Sequence, residues 1–410
     1  MIGQVLDTPL TRLAGVRHPV VQTGMGWVAG PRLVSAVANA GGLGVLASAT
    51  MTLPQLASAI EEVRSRTDAP FGVNLRADAS DAGDRADLLI RNRVKVASFA
   101  LAPRQDLIAK LKDAGIVVIP SVGARRHAEK VAAWGADAVL VQGGEGGGHT
   151  GPVATTLLLP QVVDAVDIPV IAAGGFFDGR GLVAALAYGA AGVAMGTRFL
   201  LTSDSSVPDA VKRAYLGMSE TVVTRQVDGM PHRVLRTPLV DGLERSGAVP
   251  RLARAVRNAA RFRKISGMSW YAMIRDGIAM RRGKELSWSQ VLMAANAPML
   301  LKAAMVDGRP DLGVMASGQV VAVIDTLPSA GELVDGIIIQ AAEVLRTLGS
   351  SSLLSPLPRT IRGDSPRTSI SMVVHEPHAG GGAAAGCAAA GAGSRGAPCG
   401  CGAARPGSPG

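Results

Sequence analysis

The chain is short of the residues on which several kinds of chemistry depend. Only three of its 410 residues are cysteine, and Cys387, Cys399 and Cys401 all lie near the C-terminus. The body of the chain therefore has no disulfide framework, no thiolate metal site and no cysteine nucleophile. Histidine is scarce as well, with six in the whole chain. None forms an HxxxH pair in the part expected to fold, so no metal site is expected. Aromatics make up 3% of the residues, and the 48% that are hydrophobic come chiefly from Ala, Val and Leu. No apolar run is long enough to span a bilayer. The start, "MIGQVLDTPLTRLAG", lacks the charged opening and continuous apolar block of a secretory signal. These absences predict a cytoplasmic protein with no membrane partner.

What is present is a repeated rhythm. A short β-branched run gives way to a glycine or polar turn, then to a helix-period segment. The strand candidates are "PVVQTG" at Pro19, "LGVLAS" at Leu43, "FGVNL" at Phe71, "VKVASFA" at Val94, "IVVIPS" at Ile116, "AVLVQ" at Ala138, "IPVIAAGG" at Ile168 and "GVAMGT" at Gly192. Strands apolar throughout, alternating with amphipathic helices, indicate a parallel sheet covered on both faces. Eight such units predict an α/β (β/α)8 TIM barrel over residues 1–205. A smaller, mostly helical module is expected over 206–314, covering one end of the barrel. Within it "TVVTRQVDGMPHRVLRT" reads as an extended pair around Asp228-Gly229. Residues 315–350 read as a closing segment with a strong amphipathic helix, "AGELVDGIIIQAAEVLRTL". Residues 351–410 are Gly/Ala-rich without apolar periodicity and are expected to form a disordered tail.

Chemistry in this fold gathers at the C-terminal ends of the strands. That rule selects Gln22, Thr23, Gly24 and Met25 after the first strand, Asn74 at the end of the third, Ser121 at the end of the fifth and Gln142 at the end of the sixth. The seventh and eighth end in Gly174-Gly175 and Gly196-Thr197, and loops at these two positions often bind phosphate through backbone N–H groups. The amides of Gln22, Asn74 and Gln142 offer donors and acceptors to the heteroatom edge of a flat ring, although each could equally cap its strand. After Gln142 comes "VQGGEGGGHTG", Val141 to Gly151. Its glycines allow close backbone approach, and His149 is an acid/base group that changes charge near neutral pH. Glu145 is a candidate to orient His149 or else an exposed loop residue.

The net charge is +10. In "PRLARAVRNAARFRKISG", Arg251, Arg254, Arg257 and Arg261 fall on one helical face, with Arg263 and Lys264 beside them. A solvated face, a contact for the phosphates of a CoA thioester and a nucleic-acid contact all remain open. With no nucleic-acid motif and no interleaved aromatics, a nucleic-acid partner is not expected.

Four stretches together, "HPVVQTGMGWVAGPRLVSAVANAGGLGVLAS", "GVNL", "VQGGEGGGHTG" and "IPVIAAGGFFDGRGLVAALAYGAAGVAMGTRF", resemble the nitronate monooxygenase (2-nitropropane dioxygenase) family. They are also similar to its flavin-dependent enoyl-reductase branch. The resemblance runs from about Thr8 to Leu348. It implies an FMN-dependent barrel. Gln22, Thr23, Gly24, Met25, Asn74 and Gln142 would surround the flavin ring and ribityl chain, and Gly147 and Gly148 would lie against the cofactor. Gly174, Gly175, Gly196 and Thr197 would hold the phosphate, and His149 would be the catalytic acid/base. Through "TVVTRQVDGMPHRVLRTPL" and "GKELSWSQVLMAANAPMLLKA" the chain looks most like an actinobacterial subgroup that includes a flavin-dependent dehydrogenase of a hydroindane acyl-CoA in steroid-ring catabolism. The expectation is therefore an FMN-dependent oxidoreductase of a bulky acyl-CoA, with NAD(P) a candidate electron partner and a homodimer a candidate assembly. The alternatives are a nitronate monooxygenase using O2 and an enoyl-thioester reductase.

Overall fold

The structure, a computed structural model, describes residues 6–100, 103–245 and 296–349, with residues 260 and 269 besides. The arginine stripe from Arg251 to Lys264 and the tail with its three cysteines lie outside the described residues.

Eight parallel strands close into a barrel. They are β1 (Val20–Gln22), β2 (Leu43–Ala47), β3 (Gly72–Arg76), β4 (Val96–Ala100), β5 (Val117–Val122), β6 (Val139–Gln142) and, after an intervening short strand β7 (Gly148–His149), β8 (Val170–Ala173) and β9 (Gly192–Met195). Each of the eight runs picked out in the sequence holds one barrel strand. The ring closes where β9 pairs with β1, Val20 opposite Val193 and Gln22 opposite Met195. β3 runs two residues beyond Asn74, because Leu75 and Arg76 continue the ladder with Phe99 and Ala100. Asn74 thus sits within its strand rather than at its end.

The strands are apolar throughout because both faces are covered. Val21, Val45, Val96, Ile119, Leu140 and Ile171 belong to the cluster inside the barrel. Their neighbours Val20, Val141, Val170 and Val193 pack outward against helices, as do Leu46, Val73, Phe99 and Val118. The helices begin where the chain supplies caps. For Leu53–Arg66, the Thr52 hydroxyl accepts from the Gln55 N–H, and the Gln55 side chain accepts from the Thr52 N–H. That reciprocal arrangement satisfies two otherwise unpaired donors. At the N-terminal end of the barrel, helix Pro9–Ala14 places Leu10 in the interior cluster, and the Thr8 hydroxyl donates to Ala191 O at 2.6 Å.

After β9 the chain leaves the barrel rhythm. Strands β10 (Thr221–Thr224) and β11 (His232–Leu235) form an antiparallel hairpin, Thr221 opposite Leu235 and Thr224 opposite His232. This is the extended pair expected around Asp228-Gly229. Its third strand is β7, from the glycine loop. Among the described residues, helices Asp209–Leu216, Pro238–Arg245 and Asn296–Met305 accompany the hairpin. A small core of Val227, Val234, Val240, Leu243, Leu300 and Val314 lies under it. Helix Ala330–Gly349 then returns to the barrel wall, where Leu333, Val334, Ile337 and Ala341 join the outer cluster. Gln340 Oε1 accepts from the Gly179 N–H at 2.7 Å. No helix among the described residues is long and apolar enough to cross a membrane.

Candidate active site

The glycine loop that follows β6 carries a two-residue strand. In β7, Gly148 pairs with Arg233 and His149 with His232 of β11, and Thr150 N donates to Pro231 O at 3.2 Å. The loop is held from the barrel side too. Gln142 Nε2 donates to His149 O at 2.8 Å, and Arg233 Nε donates to Gly144 O at 3.0 Å. His149 is thus fixed through its backbone between the C-terminal end of the barrel and the hairpin, with its side chain 54% exposed.

The partner of its imidazole is Asp228, which its sequence context marks only as a turn residue. His149 Nε2 lies 2.6 Å from Asp228 Oδ2. Asp228 Oδ1 accepts from the Met230 N–H at 3.1 Å, the Asx geometry that stabilises such turns. Burial alone would raise the Asp228 carboxyl. The hydrogen bond from His149 instead holds it well below the usual carboxylate range. His232 is almost fully buried, its Nδ1 3.8 Å from Asp228 Oδ2, and neither ring nitrogen has a hydrogen-bond partner. Burial, the largest effect, lowers its pKa, so it is neutral at neutral pH. The two imidazole rings lie 4.7 Å apart and tilted by 55°.

No metal site was expected from spacing along the chain, yet folding brings His149, Asp228 and His232 together, with potential ligand atoms within 4.8 Å of one another. The His149–Asp228 distance argues for a proton between them. Two ligands of one tetrahedral ion with bonds of about 2.0–2.1 Å would stand about 3.3 Å apart.

Glu145 does not orient His149. Its carboxylate accepts from the Thr155 N–H at 2.9 Å and from the Thr155 hydroxyl at 2.7 Å. It thereby caps helix Thr155–Val163, whose own N-cap residue, Ala154, has no side-chain bond to give. Glu145→Ala should cost about 0.5–2 kcal/mol of stability, seen as a fall of a few degrees in melting temperature, and Glu145→Gln should recover part of it. An unchanged melting temperature in Glu145→Ala would remove this role.

The other expected site residues divide into groups. Inside the mouth, Asn74 Nδ2 reaches Ser98 Oγ at 3.4 Å. Asn74, Ser98, Ser121 and Gln142 share the inward strand positions of Gly72, Val96, Ile119 and Leu140 and form a ring of uncharged donors and acceptors. Thr23, Gly24 and Met25 cross the mouth between strand ends. Thr23 N donates to Met195 O at 3.2 Å, Gly24 abuts Asn74, and the Met25 sulfur lies beside Gly196. Gly174 and Gly175 both have positive φ, 94° and 88°. Thr197 opens the short helix after β9, and its hydroxyl accepts from the Gly318 N–H at 2.9 Å. Two expected contacts are already occupied by the chain itself. Gln22 is fully buried on the outward side of β1, with its amide on the main chain of Val45 and Thr23. Gly147 packs against Ser317-Gly318.

Asp228 and His232 left only a faint trace in the sequence: a second histidine four residues after an acidic turn residue, leading the alternation of "HRVL".

With this geometry in view, the chain was compared with known proteins. A family model described as nitronate monooxygenase matches residues 7–90 and 85–340. A Mycobacterium tuberculosis protein named (3aS,4S,5R,7aS)-5-hydroxy-7a-methyl-1-oxo-octahydro-1H-indene-4-carboxyl-CoA dehydrogenase is 70% identical over 347 residues, which is 83% of this chain and 98% of that protein. A Rhodococcus jostii protein of the same name is 66% identical, over 84% of this chain and 98% of its own. Among solved structures, FabK from Thermotoga maritima matches with a TM-score of 0.70 and 33% identity, over 83% of this chain and 98% of FabK.

Proposed function

The chain belongs to the nitronate monooxygenase family and is an oxidoreductase, and from that premise we propose that it is an FMN-dependent dehydrogenase of a bulky, ring-bearing acyl-CoA. The observation that carries the substrate class is the match to two hydroindane-carboxyl-CoA dehydrogenases along almost their whole length.

The residues at the barrel mouth fit a flavin. Asn74, Ser98, Ser121 and Gln142 supply neutral hydrogen-bonding groups, suited to a ring edge that carries both donors and acceptors. The main chain at Gly174-Gly175 and at Gly196-Thr197 supplies N–H groups on adjacent strand ends, where this fold commonly takes a phosphate. A flavin held by these residues would supply the acceptor for the electron pair that leaves the substrate. The protein's part is to bind and orient the thioester against that ring and to take up the accompanying proton. That His149 is half-exposed and backed by Asp228 supports it as the group that takes the proton. NAD(P) is the candidate to receive the electrons afterwards.

The test starts with the purified holoprotein. Heat should release FMN, and anaerobic mixing with hydroxylated ring-bearing acyl-CoA thioesters should bleach the flavin's visible absorbance. Release of FAD, or a flavin that ignores every thioester, would overturn the reading. Rapid O2-dependent turnover of alkyl nitronates without any response to thioesters would favour the second reading, a nitronate monooxygenase, which the family match supports. Oxidation of NAD(P)H coupled to reduction of an enoyl thioester would favour an enoyl-thioester reductase.

A further inference from the structure

The hairpin that folds over the barrel mouth brings an acidic turn residue to a histidine far away in the chain. We propose that Asp228 is a positioning residue of the reaction, which fixes His149 with the proton on Nε2 and so leaves Nδ1 as the nitrogen that exchanges a proton with the substrate. The proposal rests on the reading of His149 as the acid/base group.

A carboxylate can only accept hydrogen bonds, so an imidazole nitrogen 2.6 Å from Asp228 Oδ2 must carry the hydrogen. The second carboxylate oxygen is held by the Met230 N–H at 3.1 Å, which keeps the group from rotating. His149 stands on the edge strand of one three-stranded sheet, and Asp228 on the turn that joins its other two strands. His149 lies opposite His232 in the ladder, and Thr150 N bonds Pro231 O, immediately after the turn that carries Asp228. The separation is therefore set by main-chain pairing rather than by chance meeting of side chains.

The surroundings keep this pair isolated. His232 packs its ring 4.7 Å from that of His149 and limits the ring's rotation. Buried and neutral, it shields Asp228 without contributing a competing cation. The charged groups on the flanking segments are engaged elsewhere, Arg233 with Gly144 O and the Thr221 hydroxyl, and Glu145 with Thr155. When His149 takes up a proton, the imidazolium forms against a fixed carboxylate. The tautomer is right beforehand and the charge is stabilised as it appears.

The experiment has a kinetic arm and a spectroscopic arm. Asp228→Asn should keep its flavin, change KM little, and lower kcat by about 10²-fold or more, since a fixed tautomer is a large part of such a pair's effect. Asp228→Glu should recover part of the rate. With 15N-labelled histidine, His149 of the wild-type holoprotein should show its proton on Nε2, and Asp228→Asn should lose that preference. This arm needs no substrate. A wild-type protein inert toward every thioester would sink the functional reading, while the 15N signals would still decide this one. His149 protonated on Nδ1 in the wild type, or Asp228→Asn with kcat unchanged, would overturn the proposal. So would loss of activity on dialysis against a chelator with restoration by a divalent cation, which would make the three residues metal ligands. Should Asp228→Asn fail to fold, the wild-type 15N spectrum alone decides between the two tautomers.

Discussion

His149→Asn should leave a folded, yellow protein that turns over its substrate about 10²–10⁴-fold more slowly, a loss of about 3–5 kcal/mol in transition-state stabilisation. The flavin should stay because no expected cofactor contact uses this side chain. The neutral groups of the mouth come from β3 to β6, and the glycine main chain from the ends of β8 and β9. The loop should stay because β7 is held by main-chain atoms. His149 pairs with His232 through backbone, and its carbonyl accepts from Gln142. What is lost is the imidazole between Asp228 and the substrate. The effect should fall on kcat rather than KM. His149→Ala should behave alike, with a further small loss from the contact with the His232 ring. Near wild-type turnover would make His149 a spectator. Loss of the flavin would make it a binding residue, and the proton would have to go elsewhere.

The barrel was legible because its signal repeats. Each strand is an apolar run covered on both faces, each helix has a three-to-four spacing, and eight repetitions leave little choice of architecture. The strand-end rule then found residues that the fold gathers at one mouth, from Thr23 and Asn74 to Thr197. What was not legible depends on contacts between distant segments. β7 has two residues, too few for any periodicity to show, and it becomes a strand only because β11 lies beside it. Asp228 stands 79 residues from His149 in the chain, and a turn aspartate followed by glycine already has a sufficient local explanation. Glu145 and Gln22 show a related limit. Each had a plausible role toward the mouth, yet each satisfies main-chain groups of the fold, a helix terminus in one case and the edge of β2 in the other. A sequence marks a residue as polar and well placed, but not which way its side chain turns.

The same distinction separates two neighbouring glycines of the loop, and it can be tested directly. Gly147→Ala should be strongly disruptive and Gly148→Ala only mildly so. A Cβ on Gly147 would stand 2.6 Å from Gly318 N and from Ser317 C, both backbone atoms. That backbone cannot simply retreat. Gly318 N donates to the Thr197 hydroxyl at 2.9 Å, and Gln319 N donates to Glu145 O at 3.0 Å. On its other side, Tyr215 Oη donates to Ala316 O at 2.8 Å. Making room costs overpacking of about 1–3 kcal/mol and weakens two hydrogen bonds of about 0.5–1.5 kcal/mol each, roughly 2–6 kcal/mol together. The melting temperature should fall by about 5 °C or more. Flavin should leak from the protein as well, because Gly318 and Thr197 would part where the phosphate is expected. At Gly148 the space is open, with His232 Nε2 3.9 Å from the added carbon. The cost there is conformational, since φ is +73° and an L-residue pays about 1–2 kcal/mol in that region. Gly148→Ala should therefore melt a few degrees lower and keep its flavin. If both variants lose equal stability, or Gly147→Ala keeps flavin and melting temperature alike, the close approach of Ser317-Gly318 is not what requires glycine at position 147.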